Sequence, residues 1–80
     1  MIHKSNAVHP GSIIRADIME AEGYTIDELC DLLACSTGYM RRLLEERTHI
    51  TPEIACSLAK QGYGTADMWV KLQHRWNRGL

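Results

Sequence analysis

The sequence contains no phenylalanine, only two prolines and no long apolar run. Its apolar stretches, such as residues 68–70 (Met-Trp-Val), are far too short to cross a bilayer. The first six residues lack the apolar core of a signal peptide, so we expect a cytoplasmic protein with no membrane partner. Three cysteines, an odd number, do not form the disulfide framework of a small secreted protein, which agrees with a reducing compartment.

No charge of one sign predominates, because nine Lys and Arg stand against ten Asp and Glu. This excludes a bulk basic field that would attract nucleic acid. A chain of 80 residues has room for one core and not for an enzyme with a separate cofactor domain. The sequence also lacks a Ser-His-Asp order, a glycine-rich phosphate loop and paired carboxylates, so we expect no catalysis, cofactor or small-molecule substrate.

Alternating β-branched and aromatic runs are missing too, which predicts an all-α fold. Pro10 suits the first turn of a first helix, in which Ile14, Ile18 and Ala21 recur at helical spacing before Gly23 as a left-handed cap. Four further helices are expected from the N-cap residues Thr25, Ser36 or Thr37, Thr51 and Thr65. We predict a flexible tail over 1–8, one five-helix domain over 9–77 and a short tail over 78–80.

The second and third helices have the spacing of a helix-turn-helix. Leu29 and Leu33 lie four apart on one face, and Met40 and Leu43 lie three apart on the next helix. Ala34 falls at the tight turn, where glycine is preferred and alanine is accommodated with some strain. Such a turn leaves the outward residues of the third helix free to enter a DNA major groove.

This pattern resembles the helix-turn-helix of lambda-repressor-like (XRE family) regulators. The segments 9–11 (His-Pro-Gly), 50–53 (Ile-Thr-Pro-Glu), 58–60 (Leu-Ala-Lys) and 68–73 (Met-Trp-Val-Lys-Leu-Gln) extend the resemblance to HigA antitoxins of type II toxin–antitoxin systems. The resemblance covers nearly the whole chain. It implies a repressor of its own operon that binds palindromic double-stranded operator DNA as a homodimer and contacts a HigB-like toxin.

We expect the DNA-binding surface to follow the turn and to consist of Ser36, Thr37, Gly38, Tyr39, Arg41, Arg42, Arg47 and Thr48. Arginine forks match both guanine and phosphate, although a solvated surface pair is the common fate of helix arginines. Tyr39 either contacts the DNA backbone or covers the edge of the core. Arg47 and Thr48 are expected to touch the DNA backbone.

The last helix carries the expected dimer interface, formed by Met68, Trp69, Leu72 and Trp76. A domain of this size has a radius of gyration of about 12 Å, whereas operator half-sites lie about 34 Å apart. Two copies are therefore needed to read a palindrome.

The cysteines Cys30, Cys35 and Cys56, together with His49, do not have zinc-site spacing. Each cysteine falls on an expected core position, so we predict buried thiols and no metal.

A second hypothesis is a protein-interaction module of the same fold with little or no DNA binding. The net charge of −1 favours it. So do Ile26, where many family members carry Gln, and the pair Glu45 and Glu46, where Asn-Gly is common. Such a module would neutralise a toxin or pair with another regulator.

Overall fold

The computed structural model describes residues 7–79, and every regular element in that range is a helix. Helix α1 (Pro10–Ile13) passes directly into a π-helical segment (Ile14–Glu20), and together they form the first of five helices. The others are α2 (Ile26–Leu33), α3 (Thr37–Leu44), α4 (Pro52–Lys60) and α5 (Ala66–Gly79). The all-α prediction is confirmed. Most of the tail predicted over 1–8 lies outside the described residues.

The first helix departs from the regular α-helix that its apolar spacing predicts. Ile14 and Ile18 are buried as expected, but Ala21 is exposed. A π-helix bonds residue i to i+5, so its turn is wider than an α-helical turn. Seven residues after Ile14, the chain therefore no longer returns to the buried face, and Ala21 does not share that face with Ile14 and Ile18 as the helical spacing predicted.

The capping signals of α2 form as predicted. The Thr25 amide donates to Glu28 Oε1 at 2.8 Å, and the Glu28 amide donates to Thr25 Oγ1 at 3.1 Å, which completes a capping box. The helix ends where Ala34 takes a left-handed conformation with φ of 57°. The Cys35 amide then donates to the Cys30 carbonyl at 3.1 Å, a Schellman-type bond that closes the turn.

One apolar core joins all five helices. Its buried members are Ile14, Ile18, Leu29, Cys30, Leu33, Met40, Leu43, Leu44, Ile50, Ile54, Ala55, Leu58 and Trp69. Trp69 is its largest side chain, and its indole N–H donates to the Tyr63 carbonyl at 2.6 Å. Buried indole N–H groups need such a partner, so this bond also fastens α5 to the turn before it.

Three further sequence predictions need correction. Cys56 is exposed on α4, so only Cys30 is fully buried and Cys35 half-buried. Helix α5 continues through Arg78 and Gly79, which were assigned to a C-terminal tail. Trp69 lies inside the monomer with 2% of its surface exposed, so it cannot form part of a dimer interface.

Candidate nucleic-acid interface

Helix α3 presents two different faces. Met40, Leu43 and Leu44 are buried against the core. The opposite face is exposed and carries Thr37, Gly38, Arg41 and Arg42. Ser36 begins the helix, since its hydroxyl oxygen accepts a hydrogen bond from the Tyr39 amide at 3.1 Å. The structure therefore brings the predicted residues of this helix together on one outward surface, directly after the turn.

The two arginines of α3 keep their charge available. Arg41 and Arg42 are both exposed, and neither forms an ion pair with any residue between 7 and 79. A Cβ atom on Gly38 would lie 3.6 Å from an Arg42 guanidinium nitrogen, an ordinary contact. The glycine is thus not required for packing inside the monomer, and it leaves the first turn of α3 open to a ligand.

Tyr39 joins α3 to the segment that follows it. Its ring is half-buried, and its hydroxyl donates to the His49 carbonyl at 2.7 Å. Burial raises the pKa of the Tyr39 hydroxyl. Because the hydroxyl hydrogen is used within the monomer, the structure favours the interpretation that Tyr39 covers the core edge over donation to a phosphate.

Residues 45–50 follow α3 without regular structure and carry the remaining predicted contacts. Glu46 has a φ of 62°, in the left-handed region that glycine favours. Arg47 is exposed and lies 3.3 Å from the carboxylate of Glu45. That exposed pair is worth little in water, so the Arg47 side chain can exchange Glu45 for a phosphate. Thr48 is half-buried.

The start of the first helix packs directly on the end of α3. His9 Nε2 lies 3.0 Å from the Thr48 carbonyl oxygen, and Arg15 donates to the Leu44 carbonyl at 3.0 Å. A Cβ atom on Gly11 would collide with the carbonyl oxygen of Leu43. The His-Pro-Gly segment therefore has a physical role: its glycine permits the contact between α1 and α3, and its histidine reaches the loop.

His9 and Gln73 are functional candidates that the sequence reasoning did not single out. Gln73 accepts from the Ile50 amide at 2.8 Å through Oε1. The available signal for Gln73 was its position four residues after Trp69, a polar residue on the inward side of α5. For His9 it was the occurrence of an imidazole at an N-cap, where Ser, Thr, Asp and Asn are preferred.

The outer face of α5 contains the rest of the predicted dimer surface. Met68 is 38% exposed and Leu72 half-buried, and both line a shallow hollow of about 350 Å³ together with Asp67 and Arg75. Trp76 is half-buried, with its ring edge-on to the His9 imidazole at 5.2 Å between centroids. Met68 and Leu72 therefore have exposed surface available to a second copy. Trp76 has only part of its ring available, because its other side lies against His9.

Charge is unevenly distributed along the chain. Residues 34–50 hold Arg41, Arg42 and Arg47 against Glu45 and Glu46. The segment before them is acidic and contains Asp17, Glu20, Glu22, Asp27, Glu28 and Asp31 against Arg15 alone. Positive charge therefore lies on α3 with its following loop and also on α5, which carries Lys71, Arg75 and Arg78 against Asp67. The acidic segment cancels both in the net charge.

Neither a metal centre nor a membrane span is found in the described part of the chain. Between residues 7 and 79, no three His, Cys, Asp or Glu side chains come together in a group that could hold a metal ion. Burial raises the pKa of the Cys35 thiol to about 12, which disfavours the thiolate that a metal requires. No helix in this range is long and apolar enough to cross a membrane.

Comparison with known proteins gives a consistent set of relatives, although no family model matches the chain. Virulence-associated protein I of Dichelobacter nodosus is 28% identical over 67 residues, which are 84% of this chain and 62% of that relative. The chain thus spans less than two thirds of that protein's length.

Two solved structures share the fold. The addiction module antidote protein of the HigA family from Coxiella burnetii superposes with a TM-score of 0.81 at 26% identity, covering 90% of this chain and 78% of its own. The Pseudomonas aeruginosa antitoxin HigA, solved with the higBA promoter, gives 0.81 at 22% identity over the same shares. The resemblance to HigA-type antitoxins indicated by the sequence is therefore confirmed.

Proposed function

We propose that this protein is a sequence-specific DNA-binding transcriptional regulator, the HigA-like antitoxin of a type II toxin–antitoxin system that represses its own operon. The observation that carries the proposal is the outward face of α3. It places Arg41 and Arg42 side by side, exposed and without an ion-pair partner among residues 7–79, directly after a helix-turn-helix turn. A helix in that position is the one that enters the major groove.

The relatives support this assignment. The Coxiella burnetii protein is described as an addiction module antidote, and the Pseudomonas aeruginosa protein was solved with promoter DNA. Both have the fold of the present chain. They are named as an antidote protein and an antitoxin and not as enzymes, so we propose a role without catalysis. A repressor of this kind acts where the chromosome lies, which places it in the cytoplasm.

In the proposed mechanism of DNA recognition, one part of the surface lies on α3 and the other lies in the loop that follows it. Arg41 and Arg42 donate to base edges or phosphates from α3, since the guanidinium fork fits guanine O6 and N7 in two parallel bonds. Thr37 and the open backbone at Gly38 approach the groove at the start of the helix. Arg47 and Thr48 contact the DNA backbone, which fixes the register of the protein without reading sequence.

The experiment is a salt titration of operator binding, with the DNA upstream of the protein's own gene as the probe. The combined substitutions Arg41→Ala and Arg42→Ala remove two cationic contacts from each protomer and four from the operator-bound homodimer. We expect weaker binding, with the slope of log affinity against log salt reduced by about four units when all four contacts are to phosphates. The matched control combines Lys60→Ala and Arg78→Ala, which removes the same charge from α4 and α5 and leaves the slope unchanged. Unaltered binding by the α3 double variant would show that the proposed surface is wrong.

A protein-interaction module remains the second candidate, and the acidic segment over residues 17–31 favours it. In that role the chain neutralises a basic toxin or pairs with another regulator, and it does not bind DNA. Failure of the wild-type protein to shift its upstream DNA, combined with a neighbouring gene for a short basic ribonuclease-like protein, would favour this function.

Dimerisation completes the proposal. A contact through Met68 and Leu72, with Trp76 at its edge, would join two copies along the outer face of α5. Trp69 supports this face from inside the monomer and does not take part.

A further inference from the structure

The loop after α3 is irregular, yet side chains from three helices hold its backbone. His9 reaches the Thr48 carbonyl at 3.0 Å, and the Tyr39 hydroxyl donates to the next carbonyl along the chain at 2.7 Å. The Ile50 amide donates to Gln73 Oε1 at 2.8 Å. His9 and Gln73 are 2% and 5% exposed, and they are the two buried polar side chains of the described residues.

The hydrogen bonds of His9 define its tautomer. Its Nδ1 accepts from the Gly11 amide at 2.9 Å, so the proton lies on Nε2, which donates to the Thr48 carbonyl. The edge-on contact with Trp76 fixes the plane of the ring. The imidazole is therefore an N-cap for the first helix and, at the same time, a support for the loop.

Gln73 has a similar double role on the other side of the loop. Its carbonyl oxygen accepts from Ile50, and its amide nitrogen donates to Asn77 Oδ1 at 3.2 Å. The second bond fixes the orientation of the amide, so that the oxygen faces the loop. A buried backbone N–H left without a partner is costly, because it has lost its hydrogen bonds to water, so this contact constrains the end of the loop.

We propose that His9 and Gln73 are positioning residues for the DNA-backbone contacts of Arg47 and Thr48; this inference rests on the proposed function. A loop that is already ordered does not lose its conformational entropy on binding DNA, which leaves more of the interaction energy as affinity. Neither side chain touches DNA in this arrangement. Each acts through the loop, and its removal lowers affinity by loosening the segment that holds Arg47.

The test is a double-mutant cycle on operator affinity. His9→Asn keeps a side-chain acceptor for the Gly11 amide, because asparagine is a good N-cap, but it is too short to reach Thr48. Arg47→Ala is measured in the wild-type and in the His9→Asn background. We expect a loss of affinity of about fivefold in the wild type and less than about twofold in the variant. Arg42→Ala, on the regular part of α3, is the control: it should lower operator affinity by an equal factor in the wild type and in His9→Asn.

Gln73→Leu supplies a second background, and Gln61→Leu, the same change at an exposed position after α4, is its matched control. Gln73→Leu removes the acceptor for Ile50 and should reduce the effect of Arg47→Ala in the same way. Gln61→Leu leaves that acceptor in place and should leave the effect at about fivefold. Amide hydrogen exchange gives a readout without DNA: the Ile50 amide should exchange faster in Gln73→Leu and keep its wild-type rate in Gln61→Leu.

Two outcomes would overturn the inference. If Arg47→Ala costs the same factor in all backgrounds while the wild type binds its operator, His9 and Gln73 are structural only and the proposed function stands. If the wild type does not bind operator DNA at all, the proposed function fails and the positioning role fails with it.

Discussion

At the scale of single residues, the backbone conformation of Ala34 carries most of the helix-turn-helix geometry. Its φ of 57° lets the chain leave α2 and begin α3 after a connection of only three residues, 34–36. A side chain in that region costs about 1–2 kcal/mol because the Cβ crowds a carbonyl oxygen. The protein tolerates the cost there and again at Glu46, with φ of 62°.

We therefore expect Ala34→Gly to raise the free energy of unfolding. Glycine removes the strain, but it also gives the unfolded chain more freedom, so the net gain is about 0.5–1 kcal/mol. The matched control is Ala21→Gly, at an exposed helical position with φ of −64°, which should lower stability by about 0.5–1 kcal/mol. Urea denaturation measures both. Equal destabilisation by the two substitutions would show that Ala34 is not strained.

Sequence alone predicted the turn and the outward arginines, but it did not decide which residues of the α5 stripe face the core. The turn at Ala34 was predictable because capping signals surround it on both sides. Trp69 was misplaced because its spacing from Leu72 and Trp76 defines a stripe without saying which edge faces inward. That choice is made by tertiary packing, because α4 packs along α5 and α1, which is far away in sequence, also contacts it. The positions of Arg41 and Arg42 followed from their spacing relative to Met40 and Leu43.

At the scale of the elements, the boundaries were better predicted than the helix type. N-caps at Thr25, Ser36 and Thr51 each form the side-chain bond that the sequence indicates. The π-helical segment was not predictable, because Ile14 and Ile18 fit either helix and only the burial of later residues separates the two. Capping is local chemistry, whereas helix type here depends on tertiary packing.

The first helix should make the stability of the protein dependent on pH. Burial lowers the pKa of the His9 imidazole from its usual 6.5, with the Thr48 carbonyl and the Glu46 carboxylate opposing this and His49 adding to it. The unfolded chain therefore binds the proton more readily than the folded one. The contribution of His9 to stability is complete above about pH 6.5 and is lost as the pH falls from there through the lower folded-state pKa.

Urea denaturation at pH 7.5 and 5.5 checks this expectation. The wild type should lose stability on acidification, and His9→Asn should lose less, because its side chain does not titrate. Gln61→Asn serves as the control, since it shortens an exposed side chain that carries no titratable group and should leave the pH dependence as in the wild type. An identical pH dependence in wild type and His9→Asn would contradict the assignment of a neutral, buried imidazole.

At the scale of the whole molecule, one copy reads only half of a palindromic operator. Each monomer carries a single α3, so when that helix lies in one groove, the second half-site, about 34 Å away, has no helix to read it. We propose that the outer face of α5 receives the second copy, with Met68 and Leu72 supplying the apolar contact between the two.

We expect Met68→Glu to weaken this dimer by at least about tenfold, since it places a carboxylate in the centre of the apolar contact. Val8→Glu is the matched control, because Val8 and Met68 are the two exposed large apolar side chains of the described residues, at 43% and 38%. Sedimentation equilibrium at high micromolar concentration should give a dimer for the wild type and for Val8→Glu, and a shift towards monomer for Met68→Glu.

A monomeric wild type at that concentration would refute the interface. If Met68→Glu and Val8→Glu dissociated the dimer to the same extent, the result would contradict a dimer contact on α5. Operator binding should follow the same order, because a monomer that retains the α3 surface intact still loses the second half-site.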